Sequence, residues 1–194
     1  CLENKKSDGN RIWKGKNRSQ FLLILAKYII KMENIIHKVY MGITLIKEKT
    51  SEYKDIKGKK AVFCYFNPSD LGKFYIYLPS DPRVAYLTDL GLEFPESISK
   101  LAEESNSFSV EISSENIDIL KDADIIVCYG NDGLVKSLQD DTLLSKVPAI
   151  ANGSVAVIED GSALAASCTP SALSIPATID EYLKIIGDAA SKVK

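Results

Sequence analysis

A chain of 194 residues, 45% of them hydrophobic, suits one globular domain of ordinary size with an appendage. Its longest apolar run, residues 21–30, is interrupted by Lys27 and falls short of the ~20 residues a membrane helix needs. The net charge of -2 hides an asymmetry: residues 1–60 carry 15 Lys/Arg against 6 Asp/Glu, and residues 61–194 carry 9 against 20, an acidic balance that argues against nucleic-acid binding there.

In chain order, residues 1–11 are polar, a composition that predicts a disordered tether. Cys1 opens the chain in place of a basic and then apolar leader. From Ile12 to about Tyr53 there is no proline, and Ile29, Met32, Ile36, Tyr40, Ile43 and Ile46 step by three or four to form one apolar stripe. One long helix fits, as do two with a break near Lys31-Met32. Lys31, Lys38, Lys47 and Lys49 lie opposite, and the stripe must bury itself against something. DIKGKK, residues 55–60, is a polar stop punctuated by Gly58.

The period then changes to that of strands. Residues 61–66 read as a strand closed by the turn Asn67-Pro68-Ser69-Asp70. A second strand, residues 73–78, ends at Pro79-Ser80-Asp81-Pro82, and a helix over residues 83–90 has Gly91 as its C-cap. Pro95 opens a helix to about Glu103. Residues 108–111 form a short strand, and Ser113 caps a helix that ends at Leu120. ADIIVCYGND, residues 123–132, holds the clearest signal: a short apolar run broken by turn residues, the mark of a central parallel strand buried on both faces. In open α/β sheets the loop leaving such a strand borders the ligand crevice, which singles out residues 129–132. Residues 133–138 are helical, residues 148–150 enter the sheet, Asn152-Gly153 turns, and residues 154–158 form another strand. A short helix over residues 161–167 and a loop over residues 169–175 precede a terminal helix from Pro176, with Ile179, Leu183, Ile186 and Ala190 inward. The alternation over residues 61–194 predicts an α/β fold with a mostly parallel sheet flanked by helices and preceded by a long helix.

Catalytic machinery is hard to assemble from these residues. The single histidine, His37, lies beside the helical stripe and reads as a packing or surface residue. GxSxG, P-loop and GxGxxG motifs are absent. No two of Cys1, Cys64, Cys128 and Cys168 have CxxC spacing, which disfavours a zinc knuckle, and Cys64 and Cys128 fall inside strands as small hydrophobes. Arg83 is the one arginine after Arg18 and follows a strand's carboxyl end. It suits an oxyanion, or an ion pair with Asp81 or Asp89. Glu115 sits in a first helical turn, where the macrodipole alone favours a carboxylate.

Several ordered motifs carry a resemblance. GKKAVFCYFNP, DPRVAYLTDLGLEFPESI, FSVEISSENIDILKDADIIVCYG, LLSKVPAIANGSVAVIED and SALSIPATIDEYLKII together resemble the carboxyl-terminal lobe of bacterial iron-siderophore substrate-binding proteins, the receptors of ABC importers. RIWKGKNRSQFLLILAKYIIKMENIIHKVY is similar to the end of that family's first lobe and the helix joining the lobes. The resemblance implies a single Rossmann-like lobe at residues 58–194, an interlobe helix region at residues 12–57 and a tether at residues 1–11, with the first lobe largely missing. It implies an extracytoplasmic protein that binds a ferric siderophore, delivers it to the membrane permease and is not an enzyme. Iron would arrive inside its chelator, so neither a metal site nor a cofactor is expected. Arg83 matches the arginine that contacts siderophore oxygens. Tyr129 and Ser174, in the 171–175 loop, lie where the cleft is lined. Glu115 matches the glutamate that docks on the permease. Cys1 before a polar run resembles a lipoprotein's lipidated cysteine, the one membrane attachment expected. A chelatase-like enzyme, and a lobe remnant that only docks, are the other readings.

Overall fold

A computed structural model describes residues 16–194. They fall into two compact units, one ending at Tyr40 and the other spanning Met41–Lys194. Cys1 and the 1–11 tether lie outside the described residues.

Helix α1, Lys16–Glu52, runs through the proline-free stretch without a break. In the first unit, Ile29, Met32, Ile36 and Tyr40 of its stripe are exposed. In the second unit Ile43 is exposed as well, and Ile46 is the one stripe residue that is buried. Around Ile46 the helix meets the terminal helix α7, Ser174–Ala190, where Lys49 Nζ lies 2.8 Å from Asp180 Oδ1. A 3-10 turn, Lys54–Ile56, then buries Ile56 and delivers the chain to the sheet.

Five strands make that sheet: β1 Ala61–Asn67, β2 Asp70–Tyr77, β3 Ser109–Ser113, β4 Ile125–Gly130 and β5 Val155–Glu159, in the order β3-β2-β1-β4-β5. β1 pairs parallel to β4, and β4 parallel to β5. The tight Pro68-Ser69 turn reverses β2, which pairs antiparallel to both β1 and β3. Four strands therefore point one way and β2 the other, a mostly parallel α/β sheet. β4 lies between β1 and β5, and its Ile125, Ile126, Val127 and Cys128 are each 0% exposed.

Side chains alternate between two cores. On one face Phe63, Val127 and Ile158 pack under helix α2, Pro82–Asp89, helix α6, Ala163–Ser167, and α7. On the other Val62, Cys64, Ile126 and Cys128 pack under helix α3, Glu96–Glu103, helix α4, Leu134–Asp140, and helix α5, Pro148–Ala151. Two expectations change. Residues 148–150 belong to α5 and not to the sheet, because Pro148 opens a helical turn that buries Ala149 and Ile150 in the second core. The segment Ser114–Leu120 is a 3-10 helix interrupted at Asn116 (φ -102°, ψ 31°), so its peptide dipoles do not sum behind Glu115 as the macrodipole argument assumed.

Candidate functional site

The segment after β2 builds a cluster around one buried carboxylate. Asp81 ends the Pro79-Ser80-Asp81-Pro82 turn and caps α2. Its Oδ1 accepts from the Arg83 backbone N–H at 2.9 Å, and Pro82 supplies the pre-set φ of the first helical position. The same carboxylate accepts from Arg83 Nε and Nη2, both at 2.8 Å, a two-pronged ion pair. Asp81 is only 3% exposed. Of the two partners open to Arg83 in the sequence, Asp81 is the one it takes.

The guanidinium sits over an aromatic floor. Arg83 Cζ stands 4.0 Å from the centre of the Tyr77 ring, cation-π geometry. Tyr77 meets Phe63 edge-on at 5.5 Å and stacks with the exposed Phe108 at 6.5 Å. Phe63 in turn meets the Tyr129 ring at 5.1 Å. The Tyr129 hydroxyl donates to the Ala165 carbonyl at 3.4 Å and interacts with Arg83. The Asp81 carboxylate holds the guanidinium charged well beyond its ordinary range, against the opposing effect of burial. Burial pushes the Tyr129 hydroxyl far above its usual range, with Arg83 pulling the other way. Both groups are thus locked in one protonation state at neutral pH: a fixed cation and a neutral phenol.

Arg83 and Tyr129, singled out separately in the sequence, therefore share one neighbourhood. The other candidates lie apart from it in their bonding. The Ser174 hydroxyl accepts from the Ser171 N–H at 2.9 Å, while the Ser174 N–H donates to Ser171 Oγ at 3.1 Å, a reciprocal pair of bonds in the turn before α7. Glu115 is exposed on the 3-10 segment, and its N–H donates to Ser113 Oγ at 3.4 Å. Tyr77 and Phe108 carry no motif that singles them out in the sequence. An aromatic at each of two strand ends was the available signal, but pairing them requires the β2–β3 register, in which Tyr77 faces Ser109.

The loop after β4 faces two ways. Tyr129 joins the core under α2 and α7, whereas Gly130, Asn131, Asp132 and Gly133 open with Val135, Val157 and Glu159 into a cavity of about 430 Å³ on the α4 side. Two carboxylates and no cation line it. Among the described residues no cluster of three His, Cys, Asp or Glu could hold a metal ion, and no helix is long and apolar enough to cross a membrane.

A family model described as "Periplasmic binding protein" matches residues 31–160. The chain belongs to the periplasmic binding protein family. Members of that family bind solutes outside the cytoplasm and are not enzymes. Among solved members, PiaA of Streptococcus pneumoniae in complex with ferrichrome is 46% identical, with a TM-score of 0.77 over 81% of this chain and 53% of that one. A second structure of PiaA, described as an iron uptake ABC transporter substrate-binding protein, is 45% identical, with a TM-score of 0.75 over 81% of this chain and 54% of that one. FhuD2 of Staphylococcus aureus with bound ferrioxamine B shares the fold at 17% identity, with a TM-score of 0.62 over 91% of this chain and 66% of that one. No curated protein matches. This periplasmic binding protein chain spans about half the length of PiaA.

Proposed function

We propose that residues 58–194 form the carboxyl-terminal binding lobe of a receptor that captures a ferric siderophore outside the cytoplasm and passes it to the permease of an ABC importer. The observation that carries this reading is the Arg83 guanidinium, held by Asp81, placed over Tyr77 and beside Tyr129. A guanidinium has five N–H donors, and Asp81 takes two side-chain bonds. Tyr129 and Tyr77 also engage the guanidinium, and the N–H groups that remain would reach oxygens of a chelate, with Tyr77 and Phe108 as its apolar support. The protein performs no chemistry and needs no cofactor, because the iron's ligands belong to the siderophore. The 46% identity to a protein crystallised with ferrichrome supports the ligand class.

In this reading Tyr129 and Ser174 line the cleft, Glu115 docks on the permease, residues 12–57 join the lobes, and Cys1 carries a lipid anchor. Titration with ferrichrome, followed by NMR at the Arg83 Nε–H signal, tests it. Ferrichrome should shift that signal, and Arg83→Ala should weaken binding by about tenfold or more, as loss of a charge-assisted hydrogen bond implies. Equal binding by Arg83→Ala would refute the assignment. A second reading is a lobe that docks on the permease through Glu115 without a ligand. Ferrichrome binding at Arg83 would exclude it.

A further inference from the structure

Two of the three described cysteines face each other. Cys64 and Cys128 are partners in the parallel pairing of β1 with β4, and both side chains enter the second core. The third, Cys168, lies in the first core, on the opposite side of the sheet. We propose that Cys64 and Cys128 are the two halves of a structural disulfide that staples β1 to β4 when the chain matures outside the cytoplasm.

Neighbouring strands lie about 4.8 Å apart, inside the roughly 4.4–6.8 Å that separates the Cα atoms of a disulfide. The two Cβ atoms must then draw in to about 3.5–4.5 Å, an inward lean with no change of register. The adjacent rung on this face, Val62 with Ile126, is filled by β-branched residues, which suit a buried strand, whereas this rung holds two thiols. Burial first, and then Cys128 itself, push the Cys64 thiol up, which places the two sulfurs within electrostatic reach of each other. Both side chains are 0% exposed, so an oxidant reaches them only before the second core closes. One thiolate attacks a disulfide oxidant, forms a mixed disulfide and releases one oxidant thiol. The other thiolate attacks the protein sulfur, forms the Cys64–Cys128 bond and expels the second oxidant thiol. Two thiol protons leave the chain, two electrons pass to the oxidant, and one disulfide oxidant becomes two thiols. Such oxidants act where this family works, outside the cytoplasm. Residues 65–127 then form a closed loop that carries Tyr77, Asp81, Arg83 and Phe108, and Tyr129 follows directly on Cys128. The link limits what the unfolded chain can explore and fixes β1 against β4 behind that cluster. Kept under reductant, the chain retains the dithiol form described here.

The test uses the full chain, unfolded in urea under dithiothreitol and refolded with oxidised and reduced glutathione. Remaining thiols are blocked with iodoacetamide, and the chain is cut with trypsin without reduction. Cleavage after Lys60, Lys73, Lys121 and Lys136 isolates residues 61–73, with Cys64, from residues 122–136, with Cys128. The two peptides should run as one species, lighter by two hydrogens than their sum, and Cys168→Ala should keep it. In the linked chain dithiothreitol should lower the urea midpoint by about 1 M or more, and in Cys64→Ala/Cys128→Ala it should change nothing. The same digest on chain exported from an expression host gives the result without a refolding step. Both peptides recovered blocked with iodoacetamide, or either joined to the peptide that carries Cys168, overturns the inference. So does an equal dithiothreitol response in the double variant. Neither outcome touches the siderophore reading.

Discussion

Tyr86 and Tyr182 meet at 5.4 Å with their rings tilted, in the core under α2 and α7; the Tyr86 hydroxyl is buried without a hydrogen-bond partner, whereas that of Tyr182 lies beside Cys168. Burial pushes Tyr86 up to about 12. An unsatisfied buried hydroxyl costs about 1–3 kcal/mol of desolvation with nothing returned. The aromatic contact, not the polar atom, is what the Tyr86 ring contributes. Tyr86→Phe should therefore unfold in urea at the same midpoint as the parent chain or above it, and a loss of more than about 1 kcal/mol would show that the hydroxyl has a partner. Asp81 is the opposite case. One carboxylate satisfies a helix N-terminus and orients a guanidinium, so its burial is compensated three times over.

At the scale of elements, the passage from β4 to α4 leaves no room for a side chain at Gly130. A methyl group on Gly130 would stand 2.3 Å from Leu134 Cδ2 and 3.3 Å from Leu134 Cβ. Leu134 is 4% exposed and anchors α4 to the second core, so it has little room to yield. Gly130→Ala should destabilise the chain by about 1–3 kcal/mol, read as a lower urea midpoint, because overpacking displaces the helix start. An unchanged midpoint would mean that the loop relaxes freely. Residues 148–150 show how an element's type is decided beyond local pattern. Three apolar residues behind a proline read equally as a strand entry or a helical turn, and the buried Ala149 and Ile150 settle it as helix because the second core lies on one side only.

For the whole molecule, the two cores hold free thiols where charge cannot go. Burial pushes Cys168 up to about 11 and Cys128 up to about 12, from an ordinary value of 9.0. Below that ordinary value the folded and unfolded chains both keep these protons, and stability does not depend on them. Above it the unfolded chain releases protons that the folded chain retains. Stability then falls, by up to about 1.4 kcal/mol per pH unit for each group, until the pH passes the folded-state values. The urea midpoint should be level through neutral pH and decline from about pH 9 to about pH 12. A midpoint still level at about pH 10.5 would show that the thiols are not sequestered as the fold places them.

Locally coded features were legible in the sequence. A period of three to four over residues 12–53 gave the helix, apolar runs gave the strands, the turn at residues 79–82 and Gly91 bracketed α2, and ordered motifs gave the family. These signals arise from backbone geometry and neighbouring residues, so they survive without tertiary information. The choice of Asp81 over Asp89 for Arg83, the meeting of Tyr77 with Phe108, and the division of the 129–133 loop between two faces were decided only by the folded chain. Each depends on strand register and on which helix covers which face, and those are fixed by contacts between residues distant in sequence.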